Sequence, residues 1–261
     1  MKRIKRNSFY EINLDIKDQE FIKTPRDFQR TGLINKSLKE FEENLKAIDN
    51  EARYFVPGNT NLNHGDKTHK ELSEQAIMED WQIPLMQEMT NLITETKGHI
   101  LEIGFGRGIS SDMIQEKGVK SHTIVECNEF VIQKFYEWKS KYSQKDIKLI
   151  EGLWQDNLEK FELYDGIFFH TYPLNEEEFI EYVSKSVTFA EHFFETASKH
   201  LRPNGAFTYF TNEIDSLSRS HQRLIFKYFS SFSLQLLDLD LPDDIKDTWW
   251  ARKIAVVKAV K

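Results

Sequence analysis

The 261-residue chain has a single cysteine, Cys127. That excludes an intrachain disulfide and a cysteine-rich zinc site. One thiol fits a reducing compartment, and a cytoplasmic location is expected. No apolar run approaches the ~18 residues that a bilayer span needs, so no membrane partner is expected. The opening "MKRIKRNSFYEINLDIKD" lacks an apolar h-region, which predicts no secretory signal. Positive charge is also scarce: 35 Lys and Arg stand against 42 Asp and Glu, for a formal charge of −7. A broad grip on nucleic acid requires a basic face, so no nucleic-acid partner is expected. The histidines show no metal-ligand spacing, and no metal is expected.

Apolar residues make up 39% of the chain, enough for a real core. Residues 1–70 are polar and irregular and read as an N-terminal extension, with 71–261 as the main domain. Within the extension, Leu38, Phe41, Leu45 and Ile48 recur at intervals of three and four, which predicts one amphipathic helix over 33–48. The stretch "FIKTPRDFQRTG", with Phe21, Arg26, Phe28, Arg30 and Thr31, mixes aromatic and basic side chains. The extension is either a packing cap or a lid over a substrate. From 69 to 96 the pattern is helical, with Ile77, Trp81, Leu85 and Met89 on one face. Pro84 either kinks this helix or begins a second one.

An alternation follows. "HILEIG", "SHTIVECN", "IKLIEGLW", "YDGIFFHTYP" and "GAFTYFTN" read as strands, with helices at 109–117, 129–143, 176–201 and 215–228. Such alternation predicts a mostly parallel, doubly wound sheet. "SLQLLDLDL" and "RKIAVVKAV" follow with no helix between them and are most simply an antiparallel pair, making seven strands. The intervening Trp249 and Trp250 either cover a substrate or seal a core edge.

Chemistry concentrates in "ILEIGFGRGIS". Gly104, Gly106 and Gly108 lie between the first strand and its helix, where a doubly wound sheet binds ligands. Glycines there allow positive φ and close backbone approach. Glu126 ends the second strand about 20 residues later, the position from which a carboxylate accepts ribose hydroxyls. Together these signals imply a nucleoside-bearing cofactor. Glu102, two residues before the first glycine, suits a cationic ligand and would oppose a pyrophosphate. S-adenosyl-L-methionine, with its sulfonium and ammonium, meets that description.

The blocks "IMEDWQIPLM", "ILEIGFGRGIS", "IVECN", "LIEGLWQD", "YDGIFFHTYPL" and "LRPNGAFTYF" occur in order between Ile77 and Asn212. In these the chain resembles Rossmann-like class I S-adenosyl-L-methionine-dependent methyltransferases, and more narrowly the guanidinoacetate N-methyltransferase family. The resemblance implies cofactor contacts from Met78 and Met86 and from the loop Gly104, Phe105, Gly106, Gly108 and Ile109. It also implies contacts from Glu126, Cys127 and Asn128 beside ribose and adenine, and from Leu153 and Trp154 on the adenine side. Met78, Met86 and Trp154 are equally readable as core residues, and Cys127 as a small buried one.

The departures bear on substrate. Where the family has "WETP" and "YDTYP", with two carboxylates for a guanidinium, this chain has "WQIP" and "FHTYP", with Gln82 and His170. A guanidinium would lose two charge-assisted partners worth ~1.5–3 kcal/mol each. His170 instead can accept a proton from an amine or orient its neutral form, at the methyl-transfer site and beside the cofactor. Gln82 can orient a substrate, and Tyr172 contacts it or forms the wall. The expected activity is N-methyl transfer to an amine of a small molecule or peptide natural product, for instance the terminal α-amine of a modified peptide. Two alternatives stand: a dinucleotide-dependent oxidoreductase, and a binding protein for the cofactor without turnover.

Overall fold

The computed structural model describes residues 67–214, 216–241 and 252–261. All of them fall in one compact unit. The expected extension up to residue 66, with its helix and the proposed lid residues, lies outside the described residues, as do Trp249 and Trp250.

The strands are β1 His99–Ile103, β2 Ser121–Glu126, β3 Ile147–Glu151, β4 Tyr164–Phe169, β5 Leu201–Thr211, β6 Ser231–Asp238 and β7 Lys253–Val260. They form one sheet in the order β3-β2-β1-β4-β5-β7-β6. β1 to β5 pair in parallel. β7 runs antiparallel to both β5 and β6. This is the Rossmann-like sheet, closed by an antiparallel pair, that the alternation predicts. β1 and β2 are buried almost throughout, polar residues included, because helices cover both faces. Leu101 and Ile103 join Val125, Ile167, Phe169, Phe207 and Val257 in one core. On the other face Ile124 joins Phe105, Val131, Phe135 and Trp138. Each large apolar side chain buried this way contributes ~1.5–3 kcal/mol.

The helices are α1 Glu74–Ile77, α2 Ile83–Ile93, α3 Ile109–Glu116, α4 Glu129–Lys139, α5 Glu176–Phe179, α6 Phe194–His200 and α7 Arg219–Tyr228. Of the two readings of 69–96, the second holds: Met78 is extended (φ −162°, ψ 134°), and Pro84 sits in the first turn of a separate helix, α2, where its missing N–H costs nothing. One expectation needs correction. The 176–201 region is broken. Thr188 takes an extended conformation at the start of a new turn, Phe189–Phe193, and the Glu191 carboxylate accepts from the Val187 N–H at 2.9 Å. The chain restarts at this point and does not continue a helix.

Strand order reverses between β1 and β4, which opens a crevice at their carboxyl ends. Among the described residues no helix is long and apolar enough to cross a membrane.

Candidate active site

The turn after β1 has positive φ at Gly104 (91°), Gly106 (55°) and Gly108 (74°). A Cβ on Gly104 would lie 2.7 Å from the His170 carbonyl oxygen, so the turn after β1 and the end of β4 touch through bare backbone. Gly108 is the left-handed N-cap of α3, whose first residue is Ile109; a Cβ there would meet the Phe105 ring at 2.8 Å. A Cβ on Gly106 would meet Ile77 at 3.2 Å. The need for glycine is therefore met first by the chain's own packing, while the loop stays narrow enough to lie against a ligand.

Glu126 ends β2 beside this loop and is 8% exposed. One carboxylate oxygen accepts from the N–H of Phe105 (2.9 Å) and of Gly106 (3.3 Å). The other accepts from Cys127 (2.8 Å) and Asn128 (2.9 Å). Asn128 caps α4 by accepting from Phe130 and Val131 N–H, and its amide donates to the carbonyls of Lys67 and Lys70. Its side chain is thus committed to the protein. Cys127 is half-buried.

Glu102, expected beside a cationic ligand, lies elsewhere: its side chain is fully buried. Both Ser110 and Ser111 hydroxyls donate to it. His122 Nε2 lies 3.0 Å away, and His122 Nδ1 contacts the Gln115 amide at 3.0 Å. Strand alternation explains this. Leu101 and Ile103 face one core, so Glu102 must face the other side, where α3 covers it.

Arg107, which the sequence did not single out, organises the segment before α2. Its guanidinium donates to Glu74 (3.1 Å), Asp80 (2.6 Å) and the Met78 carbonyl (2.9 Å). Its partners are distant in sequence, and no local spacing encodes them. Met78 is 7% and Met86 1% exposed. Met86 belongs to α2, which packs on β4, β5 and β7.

His170, Gln82 and Tyr172 are brought together. The Gln82 amide donates to the Tyr172 hydroxyl at 2.8 Å. The Tyr172 and His170 rings meet edge to face at 5.5 Å, with Phe210 on the imidazole at 5.6 Å. His170 Nε2 is buried and has no hydrogen-bond partner among the described residues. Burial pulls the His170 pKa down to about 4, opposed only by a contact to its own backbone. A neutral imidazole carries one N–H and one lone pair, and an Nε2 that accepts from a ligand corresponds to the tautomer protonated on Nδ1.

Leu153 and Trp154 follow β3. Trp154 packs on Phe193 (4.9 Å, edge to face) and His192 (5.7 Å) at the margin of the core. Its core reading is therefore realised on one side, and it is still half-buried.

The chain matches the family model for guanidinoacetate N-methyltransferase over residues 48–237, well over half its length. It belongs to that family. The family is named for an N-methyltransferase that acts on guanidinoacetate. This family member is 27% identical over 164 residues to protein arginine N-methyltransferase 2 of Candida glabrata, covering 58% of this chain and 36% of that protein. It is 26% identical over 153 residues to the protein of the same name from Saccharomyces cerevisiae, covering 53% and 33%. The chain spans about a third of the length of these curated relatives. The O-methyltransferase from Bacillus cereus in complex with SAH is a solved structure of 16% identity and TM-score 0.44, covering 91% of this chain and 97% of that one.

Proposed function

We propose that this family member methylates an amine of a small molecule or peptide natural product, taken up without its proton beside His170. The observation that carries the reading is the buried, unpartnered Nε2 of His170, at the strand-end crevice and in contact with the glycine turn. Protein arginine N-methyltransferase 2 is named for an arginine substrate, and the family model for guanidinoacetate; both acceptors carry a guanidinium. Here the positions of the family's two carboxylates hold Gln82 and His170, and among the described residues no charged group shifts the His170 imidazole. A guanidinium moved there from water would keep its desolvation cost without an anionic partner.

The residues fit the cofactor. Glu126 would hold the ribose diol at the end of β2 by exchanging its long Gly106 contact (3.3 Å) for a hydroxyl donor, the 104–108 loop would carry the methionine part, and Leu153 and Trp154 would flank adenine. When bound, the cofactor supplies an electrophilic methyl group on a sulfonium. The chain supplies alignment: Gln82 and Tyr172 fix the acceptor's orientation, and Nε2 takes an N–H from it so that its lone pair is directed away from the imidazole. The test is calorimetry with adenosylhomocysteine, followed by mass spectrometry of extracts incubated with labelled methyl donor. Cofactor binding together with a labelled amine product supports the proposal. Binding without any labelled product in extracts of the producing cells counts against it.

A further inference from the structure

Three features of His170 constrain the acceptor more tightly than the word amine does. The Nε2 atom is buried without a partner, so it must receive a hydrogen bond when a ligand arrives. Its surroundings are aromatic: Tyr172 at 5.5 Å, Phe210 at 5.6 Å and Phe168 at 6.5 Å between ring centres. Among the described residues, burial and its own backbone shift the ring, and neither is a charge. An uncharged aromatic setting of this kind accepts an N–H donor and disfavours a cation that brings no counter-ion.

We infer that the acceptor is an uncharged nitrogen of low basicity, an aromatic amine or azole, whose N–H donates to Nε2 of His170. The inference rests on the methyltransferase reading above and narrows it. A lysine-like amine, with pKa ~10.4, or a peptide amino terminus, at ~7.7–8.0, arrives mostly as the ammonium, which has no lone pair. An imidazole held near 4 by burial is too weak a base to strip either. Aromatic amines and azoles have conjugate acids weak enough to be largely neutral already. The electron balance then closes. The attacking lone pair is the amino nitrogen's in an aromatic amine and that of the second, pyridine-type ring nitrogen in an azole; it forms the N–C bond as the methyl carbon–sulfur bond breaks with its electrons left on sulfur, and the N–H proton of the cation so formed passes through Nε2 to solvent.

The test uses the full chain saturated with adenosylhomocysteine and three probes of similar size: benzimidazole, benzylamine and benzylguanidine. Calorimetry near pH 7.5 is expected to show benzimidazole binding at least about tenfold tighter than either cation, the scale of one hydrogen bond to a buried group. His170→Leu should abolish that preference with adenosylhomocysteine affinity retained. Gln82→Glu with His170→Asp should turn the preference toward benzylguanidine. Nitrogen-15 labelling of histidine provides a readout that needs no variant: benzimidazole should shift one unprotonated imidazole nitrogen. If wild-type protein binds adenosylhomocysteine but prefers a cation, or binds none of the probes, the inference is overturned while the methyltransferase reading stands. A preference for benzimidazole that survives His170→Leu overturns it equally. Failure to bind adenosylhomocysteine refutes the underlying reading itself.

Discussion

Replacing Glu126 by Gln tests the centre of the site. The native carboxylate accepts four backbone N–H groups, two from the glycine loop and two from the turn after β2. Glutamine keeps one oxygen and puts an NH₂ group where the other was, so two N–H donors face a donor. A hydrogen bond to a charged acceptor contributes ~1.5–3 kcal/mol. If the amide faces the loop pair, the long Gly106 contact (3.3 Å) takes the lower end of that range. We expect a loss of about 3–5 kcal/mol. For a domain of this size each kcal/mol moves Tm by ~2–4 °C, so thermal melting should fall by roughly 6–20 °C. Adenosylhomocysteine affinity should fall about 10–100-fold as its diol loses an anionic acceptor. Scanning calorimetry with and without adenosylhomocysteine reads both effects. A melting point within about 2 °C of wild type, with unchanged affinity, would refute the assignment of Glu126 as the joint between loop and strand.

Gly104→Ala places a methyl group against the His170 carbonyl at φ +91°; left-handed strain and overpacking together should cost about 2–5 kcal/mol in urea unfolding. Arg107→Met removes partly exposed ion pairs worth ~0.2–1 kcal/mol each, so Tm should move little; amide exchange at 74–82 should accelerate, and unchanged exchange would show that Arg107 does not hold this segment. Tyr209→Phe leaves fully buried His221 without the hydroxyl that contacts its Nε2 at 2.8 Å, for a loss of ~1–3 kcal/mol. Burial holds His170 and His192 at about 4 in the folded chain, while unfolded histidine titrates near ~6.5. The unfolded state therefore takes up their protons first, and stability, complete above ~6.5, falls as pH drops toward about 4. His192→Gln should roughly halve that slope in urea titrations between pH 7 and 5.

The parts of the molecule that the sequence reveals are those built from neighbours along the chain. "HILEI" and "SHTIVE" are legible as strands from their short β-branched and apolar stretches, Ile100-Leu101, Ile103 and Thr123-Ile124-Val125, and Asn128 announces α4 by capping it. The 176–201 segment misleads because Phe179, Tyr182, Phe189 and Phe193 keep near-helical spacing across a break that only Thr188 and Glu191 signal. Glu102 shows the limit of charge reasoning. Its carboxylate stands next to the glycine turn in sequence, yet the pleat sends it to Ser110, Ser111 and His122. The Arg107 contacts reach back 33 and 27 residues to Glu74 and Asp80, a distance at which composition carries no register. Gln82, Tyr172 and His170 were legible as residue types, but their meeting is a property of the β4 end and the turn before α2.

The direction in which the glycine loop spends its amides also bears on which molecules it turns away. Glu126 claims the N–H groups of Phe105 and Gly106, and Glu74 and Asp80 neutralise the loop's arginine. A nicotinamide or flavin dinucleotide would bring two phosphates to a loop where these two N–H groups already face a carboxylate. A sulfonium meets no such opposition. The way the peptide planes of two residues point therefore weighs against an anionic coenzyme at this turn.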